Sequence, residues 1–262
     1  MSSIARPSSG QRLRRLIVLA AALFSVAIGQ SQVLMGWGQS PGEFAADSDE
    51  TLRVASYAFS IWGLIYLWLL AYAVRQVLPQ TRENALIHGL GWPSVGALLG
   101  IGAWVVAAAF DWEGATVVLI FGSLLVLLLP MLARAGDIRA LDRRDRDRWF
   151  VIWPLAMLTG WLTVAAPVNL LTVVTGNGDL PDIVSPTVWA IMAVVVVAVV
   201  GLGVTARIRT LAYGLPIAWG LAAVYVAEQV RNSPLAWTAL GGAATVLVGA
   251  ALLVFRPGAR VR

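Results

Sequence analysis

The chain has 262 residues, of which 59% are hydrophobic and 13% charged, with twelve Trp. Soluble domains carry charge on about a quarter of their residues, so this composition excludes an ordinary soluble domain and indicates a polytopic membrane protein. There is no Cys, which removes disulfide frameworks and thiolate sites, and all nineteen basic residues are Arg, so no Lys is present to hold a Schiff-base chromophore or pyridoxal group. The net charge of +5 does not point to nucleic acid, because the Arg residues lie in short segments between apolar runs rather than on one soluble face.

Residues 1–15 are polar, hold Arg6, Arg12, Arg14 and Arg15, and read as a tail ahead of an apolar run over 16–35. That run is longer than the apolar core of a signal peptide, so it is expected to remain as a first spanning helix, although Ala27-Ile28-Gly29 has the form of a cleavage site. An acidic loop with Glu43, Asp47, Asp49 and Glu50 leads to a second helix over 54–78. Its residues 54–74 carry no charge and, at about 1.5 Å per residue, cross a hydrocarbon core of roughly 30 Å. Phe59, Trp62 and Tyr66 are spaced i, i+3, i+7 and share one face, with Gly63 between them as a place of close approach.

A loop with Arg75, Arg82, Glu83 and the single His88 precedes a third helix over 89–110, and Asp111-Trp112-Glu113-Gly114 connects it to a fourth over 115–133. The charged stretch 134–148 separates this from a fifth helix over 149–174. A turn-rich loop then precedes a sixth helix over 186–206, opened by Pro186, whose fixed φ suits a first turn. A seventh over 211–230 and an eighth over 236–255 complete the set, with 256–262 as a second tail. An all-α transmembrane bundle of about eight helices is therefore expected. Seventeen of the nineteen Arg fall on one side and only Arg53 and Arg231 on the other, so both termini are expected to be cytoplasmic. The echo of 59–64 in 150–155 is no better than chance in so aromatic a sequence, and no internal period emerges.

Polar groups within hydrocarbon are costly and mark candidate sites. Gln30, Gln32, Tyr57, Ser60, Asn169, Glu228 and Gln229 all fall toward the acidic, outer side, and Tyr225 and Glu228 share a face of the seventh helix. Two readings stay open. The amides hydrogen-bond across helices at roughly 0.6–2 kcal/mol each, with Glu228 interfacial, or they line an outward-facing chamber with the aromatic residues. Trp62 and Tyr66 lie too deep for an interfacial belt, so they either pack the bundle or form the wall of a site for a flat apolar ligand. The candidate ligand-binding residues are Tyr57, Phe59, Trp62, Tyr66, Trp161, Asn169, Tyr225 and Glu228.

Catalytic signals are weak. Gly176-Asn177-Gly178-Asp179 matches the Gly-x-Gly-Asp string of intramembrane aspartyl proteases, but that chemistry needs a second carboxylate sharing a proton at membrane depth, and Asp179 falls in an outer loop. His88 could serve as a haem ligand, yet its place beside the Arg-rich inner loop reads as interfacial. Asp142 to Arg148 could meet anionic head groups, but its acids cancel a large part of the charge, which disfavours specific phosphate binding. No phosphate loop, dinucleotide fingerprint, HExxH or GxSxG string is present. The expectation is a protein that is not an enzyme, with no metal, no resident cofactor and no nucleic-acid partner, embedded in the lipid bilayer.

Ser56-Tyr57-Ala58-Phe59-Ser60-Ile61-Trp62-Gly63-Leu64-Ile65-Tyr66 resembles the second-helix signature of the tryptophan-rich sensory proteins, the TspO/translocator-protein group, and in particular their longer bacterial relatives. The stretches 160–169 and 217–225 are similar to those relatives as well. The chain departs from TspO proper in the three-residue interval from Phe59 to Trp62, where TspO has four, and in an entry, Arg53-Val54-Ala55, that lacks Pro. The resemblance implies a bacterial inner-membrane protein that binds a flat apolar ligand, porphyrin- or sterol-like, for sensing or assisted transport, with porphyrin or haem as ligand rather than cofactor. A small secondary transporter, or a structural membrane protein without a small ligand, are the alternatives. The absence of a mid-bilayer charge for ion coupling argues against the transporter.

Overall fold

The computed structural model describes residues 8–47, 51–78, 81 and 83–255. Arg6, Asp49, Glu50, Arg82 and the tail 256–262 lie outside the described residues. All regular structure among the described residues is helical: α1 (Ser9–Met35), α2 (Pro41–Asp47), α3 (Ile61–Val77), α4 (Ala85–Ala109), α5 (Glu113–Ala133), α6 (Ala135–Ala140), α7 (Trp153–Gly176), α8 (Pro186–Ile208), α9 (Leu211–Glu228) and α10 (Ser233–Phe255), with a 3₁₀ turn at Ser56–Ser60 and a π turn at Arg148–Ile152. Eight of these segments are long and apolar enough to cross a membrane. The chain is an all-α, multi-pass membrane bundle.

Several boundaries differ from the apolar runs. α1 begins at Ser9 because Ser8 and Gln11 form a reciprocal capping box that satisfies two backbone N–H groups at the helix start, so Arg12, Arg14 and Arg15 are helical. The acidic loop contains α2, opened in the same way by Ser40 and Glu43. α4 starts at Ala85 because the Asn84 side chain accepts the Ile87 N–H, which places His88 inside the first turns. The expected helix over 54–78 does not begin as an α-helix. Its first residues spend their hydrogen bonds on α9: the Arg53 N–H donates to Glu228 Oε1 (2.8 Å), the Ala55 N–H to the Ala223 carbonyl (3.2 Å), and Trp219 Nε1 to the Ala58 carbonyl (3.0 Å). The backbone is extended at Ala55, tightens to 3₁₀ and becomes α-helical only at Ile61. The π turn before α7 has a local cause. Pro154 cannot donate to the Phe150 carbonyl and its ring crowds it, and the chain widens so that the Trp153 N–H reaches Arg148.

α7 is the axis of the bundle. The apolar window of its span is 83% buried, against 22% for α10, and it packs on α3, α5, α8 and α9. Small residues set the closest approaches, as expected where helices associate by packing rather than by water exclusion. Gly160 lies against the Tyr213 carbonyl of α9, and Gly220 against Val164. Gly63, expected at a close approach, faces open space, where a Cβ would meet nothing within 4 Å. Buried polar groups tie neighbouring helices together, with Tyr72 to Ser94 (2.7 Å) joining α3 to α4 and Thr163 to Tyr213 (2.7 Å) joining α7 to α9.

The start of α1, the end of α3 and the starts of α4 and α7 gather at one end of the bundle. There Glu83 bridges Arg14 (2.5 Å) and Arg15 (2.8 Å), and Asp147 takes Arg75 (2.9 Å) and Asn84. Trp149 stacks on Trp153 (4.5 Å) and Trp68 on Trp153 (5.8 Å) beside them. This is the basic end; Glu43, Glu113 and Glu228 lie toward the other.

Candidate functional site

Toward the acidic end, a cleft of about 260 Å³ opens between α1, α2 and α3. One wall is aromatic. The rings of Trp62 and Tyr66 stack with centroids 5.2 Å apart and planes 29° apart, and Phe59 completes the surface. Trp161 of α7 braces it from behind, edge-on to Trp62 (6.3 Å, 83°) and to Phe59 (6.2 Å, 83°). Edge-to-face support of this kind fixes ring orientation and contributes about 0.5–1.5 kcal/mol per pair beyond buried area. The facing wall is Gly29 and Gln30 of α1, and Ser40, Pro41 and Gly42 cover one end. Gly29 is required here: a Cβ would sit 2.5 Å from the Tyr66 hydroxyl oxygen.

Tyr66 is the polar element of the wall. Its residue is 6% exposed, and its hydroxyl has no hydrogen-bond partner among the described residues. The other two buried tyrosines, Tyr72 and Tyr213, are each paired with a hydroxyl.

Phe59, Trp62 and Tyr66 therefore line one cleft, with Trp161 behind them. The remaining expected site residues lie elsewhere. Asn169 is spent on the fold, accepting from Trp104 Nε1 (2.9 Å) and donating to Thr116 (2.9 Å), and so ties α7 to α4 and α5. Beside it and Trp161 is an apolar cavity of about 30 Å³, room for a water molecule but not for an organic ligand. Tyr57 is exposed and packs edge-on against Trp219 (5.2 Å). Tyr225 pairs with Trp237 of α10 (5.6 Å). Glu228, 2% exposed, accepts the Arg53 N–H. His88 lies at the basic end, its Nδ1 3.1 Å from Arg14. Asp179 follows the left-handed Gly178 in the turn after α7, and its N–H donates to the Val174 carbonyl.

Sequence reasoning missed Gly29 and the α2 segment as parts of the site. A glycine inside an apolar run and the Ser40-x-x-Glu43 capping pattern were the available signals.

No curated protein and no solved structure is significantly similar to the chain. The family profile described as TSPO-like protein matches residues 14–252, a range that contains the aromatic wall, its Trp161 brace and all of α4 to α9. On that match, the chain belongs to the TSPO-like family of membrane proteins.

Proposed function

We propose that the protein binds a flat apolar ligand, porphyrin- or sterol-like, in the cleft of Phe59, Trp62 and Tyr66, and that it serves sensing or assisted transport. The observation that carries this reading is the Tyr66 hydroxyl. It has no partner among the described residues and opens onto the cleft beside a stacked indole, where a ligand's polar edge can take up the bond while its ring lies on Trp62. The mixture of a large apolar surface with a few polar groups, Tyr66, Gln30, Ser40 and Ser56, is the usual make-up of a small-molecule site.

The test is porphyrin titration of the purified protein, read by Trp fluorescence. Saturable quenching at micromolar concentration is expected, and its absence overturns the reading. Trp62→Ala is expected to weaken binding by about 1–3 kcal/mol, the loss of one stacked aromatic contact. Trp68→Ala, whose ring stacks on Trp153 at the basic end, is the matched control and should leave affinity unchanged. Equal affinity of Trp62→Ala and wild type at equal thermal stability would place the ligand elsewhere.

The same reading sets the protein in a bacterial inner membrane with the basic end cytoplasmic. Cytoplasmic reporters after Arg262 and near Arg144 should both be active, as should a periplasmic reporter near Asp49. Opposite sides for the first two would refute the orientation.

A further inference from the structure

A second cleft, of about 420 Å³, lies at the basic end between α3 and the start of α7, lined by Ala71, Val74, Arg75, Leu78, Arg146 and Phe150. We propose that it seats an anionic phospholipid of the surrounding bilayer, the phosphate on Arg146 and Arg75 and an acyl chain along Val74 and Phe150.

In the sequence the acids of the 142–148 loop cancel much of its positive charge. In the folded protein they are turned to other work. Asp142 accepts the Arg144 N–H (2.8 Å), Asp145 accepts the Asp147 N–H (2.8 Å), and Asp147 is held by Arg75 and Asn84. Two of the loop's cations are also committed: Arg148 donates to the Leu141 and Arg209 carbonyls, and Arg143 lies over the Phe255 ring. Arg146 has no hydrogen-bond or ion-pair partner among the described residues, and it lines the cleft. Arg75 beside it is fixed by Asp147 and Thr81. A fixed and an unpaired guanidinium on one wall suit a phosphate, which accepts from guanidinium donors in a planar fork.

The rest of the lining decides between a free anion and a lipid. Val74 and Phe150 are exposed apolar side chains on membrane-spanning segments, and exposed Leu78 directly follows one, a surface that an inorganic anion does not use and that an acyl chain covers. The depth agrees, because Trp68, Trp149 and Trp153 gather beside the cleft as Trp does at the bilayer interface. Basic pockets between spanning helices are recognised seats for anionic head groups.

The experiment is native mass spectrometry of the full-length protein in neutral detergent, titrated with dioleoyl phosphatidylglycerol, dioleoyl phosphatidylcholine, or glycerol 3-phosphate as the head group alone. Saturable binding of phosphatidylglycerol is expected, with glycerol 3-phosphate failing to compete. Arg146→Gln should weaken it about fivefold, the worth of one Arg at a membrane surface, and Arg144→Gln, which removes the same charge outside the cleft, should not. Equal losses from the two variants would reduce the effect to diffuse surface charge and overturn the proposal. So would equal binding of the two lipids, or full competition by glycerol 3-phosphate, which would make this a soluble-anion site.

Discussion

Glu83→Ala is expected to destabilise the protein by about 3 kcal/mol, the low end of the cost of removing one partner from a buried ion pair, because the two Arg left behind are buried while the carboxylate itself is 18% exposed. The Arg14 and Arg15 side chains are 3% and 5% exposed, and each presents a guanidinium nitrogen to a different oxygen of the one carboxylate. Their remaining contacts are neutral: Arg14 donates to His88 Nδ1, and Arg15 to the Thr81 carbonyl. Without Glu83 the two buried cations have no counter-charge among the described residues. Glu83→Gln keeps an acceptor but not the charge, so it should fall between wild type and Glu83→Ala.

The pH dependence has a definite sign. Burial pushes the Glu83 carboxyl up, but the hydrogen bonds and charges of Arg14 and Arg15 outweigh it and hold the pKa below its ordinary value of 4.5. A lowered folded pKa means that this contribution is fully present above 4.5 and is lost as the pH falls from there toward the lowered value. Thermal unfolding in detergent at pH 7 and at successively lower pH checks both claims. Wild-type stability at pH 7 in Glu83→Ala, or an acid limb of the same size in that variant, would remove Glu83 from this role.

Gly160→Ala is expected to cost about 3 kcal/mol, at the upper end of the usual range for overpacking a core. The added Cβ would lie 2.2 Å from the Tyr213 carbonyl oxygen and 3.0 Å from its carbon, and both are backbone atoms that no rotamer change can move. α7 and α9 would have to separate, disturbing the Thr163 to Tyr213 hydrogen bond beside the contact. Gly63→Ala and Gly241→Ala are the controls. Each added methyl meets open space, so the better helix propensity of Ala should leave stability equal or slightly higher. Equal thermal stability of Gly160→Ala and the two controls would refute the packing argument.

The eight spans were legible in the sequence because hydropathy over about twenty residues is a local property. So was the grouping of Phe59, Trp62 and Tyr66, since helical spacing puts them on one side whichever way the helix begins. What local pattern could not show was the destination of each polar group. Asn169 and Glu228 looked like ligand groups because isolated polar residues in hydrocarbon are costly, yet their partners, Trp104, Thr116 and Arg53, stand 65, 53 and 175 residues away in the chain. The start of α3 was misplaced for the same reason, its backbone donors being claimed by α9. Arg14 and Arg15 read as a solvated tail for want of a local acid, and Glu83, 68 or more residues on, draws them inside.

The bonds from Arg53, Ala55 and Ala58 to α9 also bear on the order in which the protein is made. Chains emerge amino end first, so α1 and α3 enter the membrane while the residues that hold the 53–58 segment, at Ala223, Glu228 and Trp219, are still to be synthesised. Ser56 lies within that segment and Phe59 follows directly on it, and both line the cleft. The mouth of the cleft thus takes its final shape among the last events of biogenesis, and a chain stopped after α8 would carry all three cleft-wall aromatics without the support that sets their entrance.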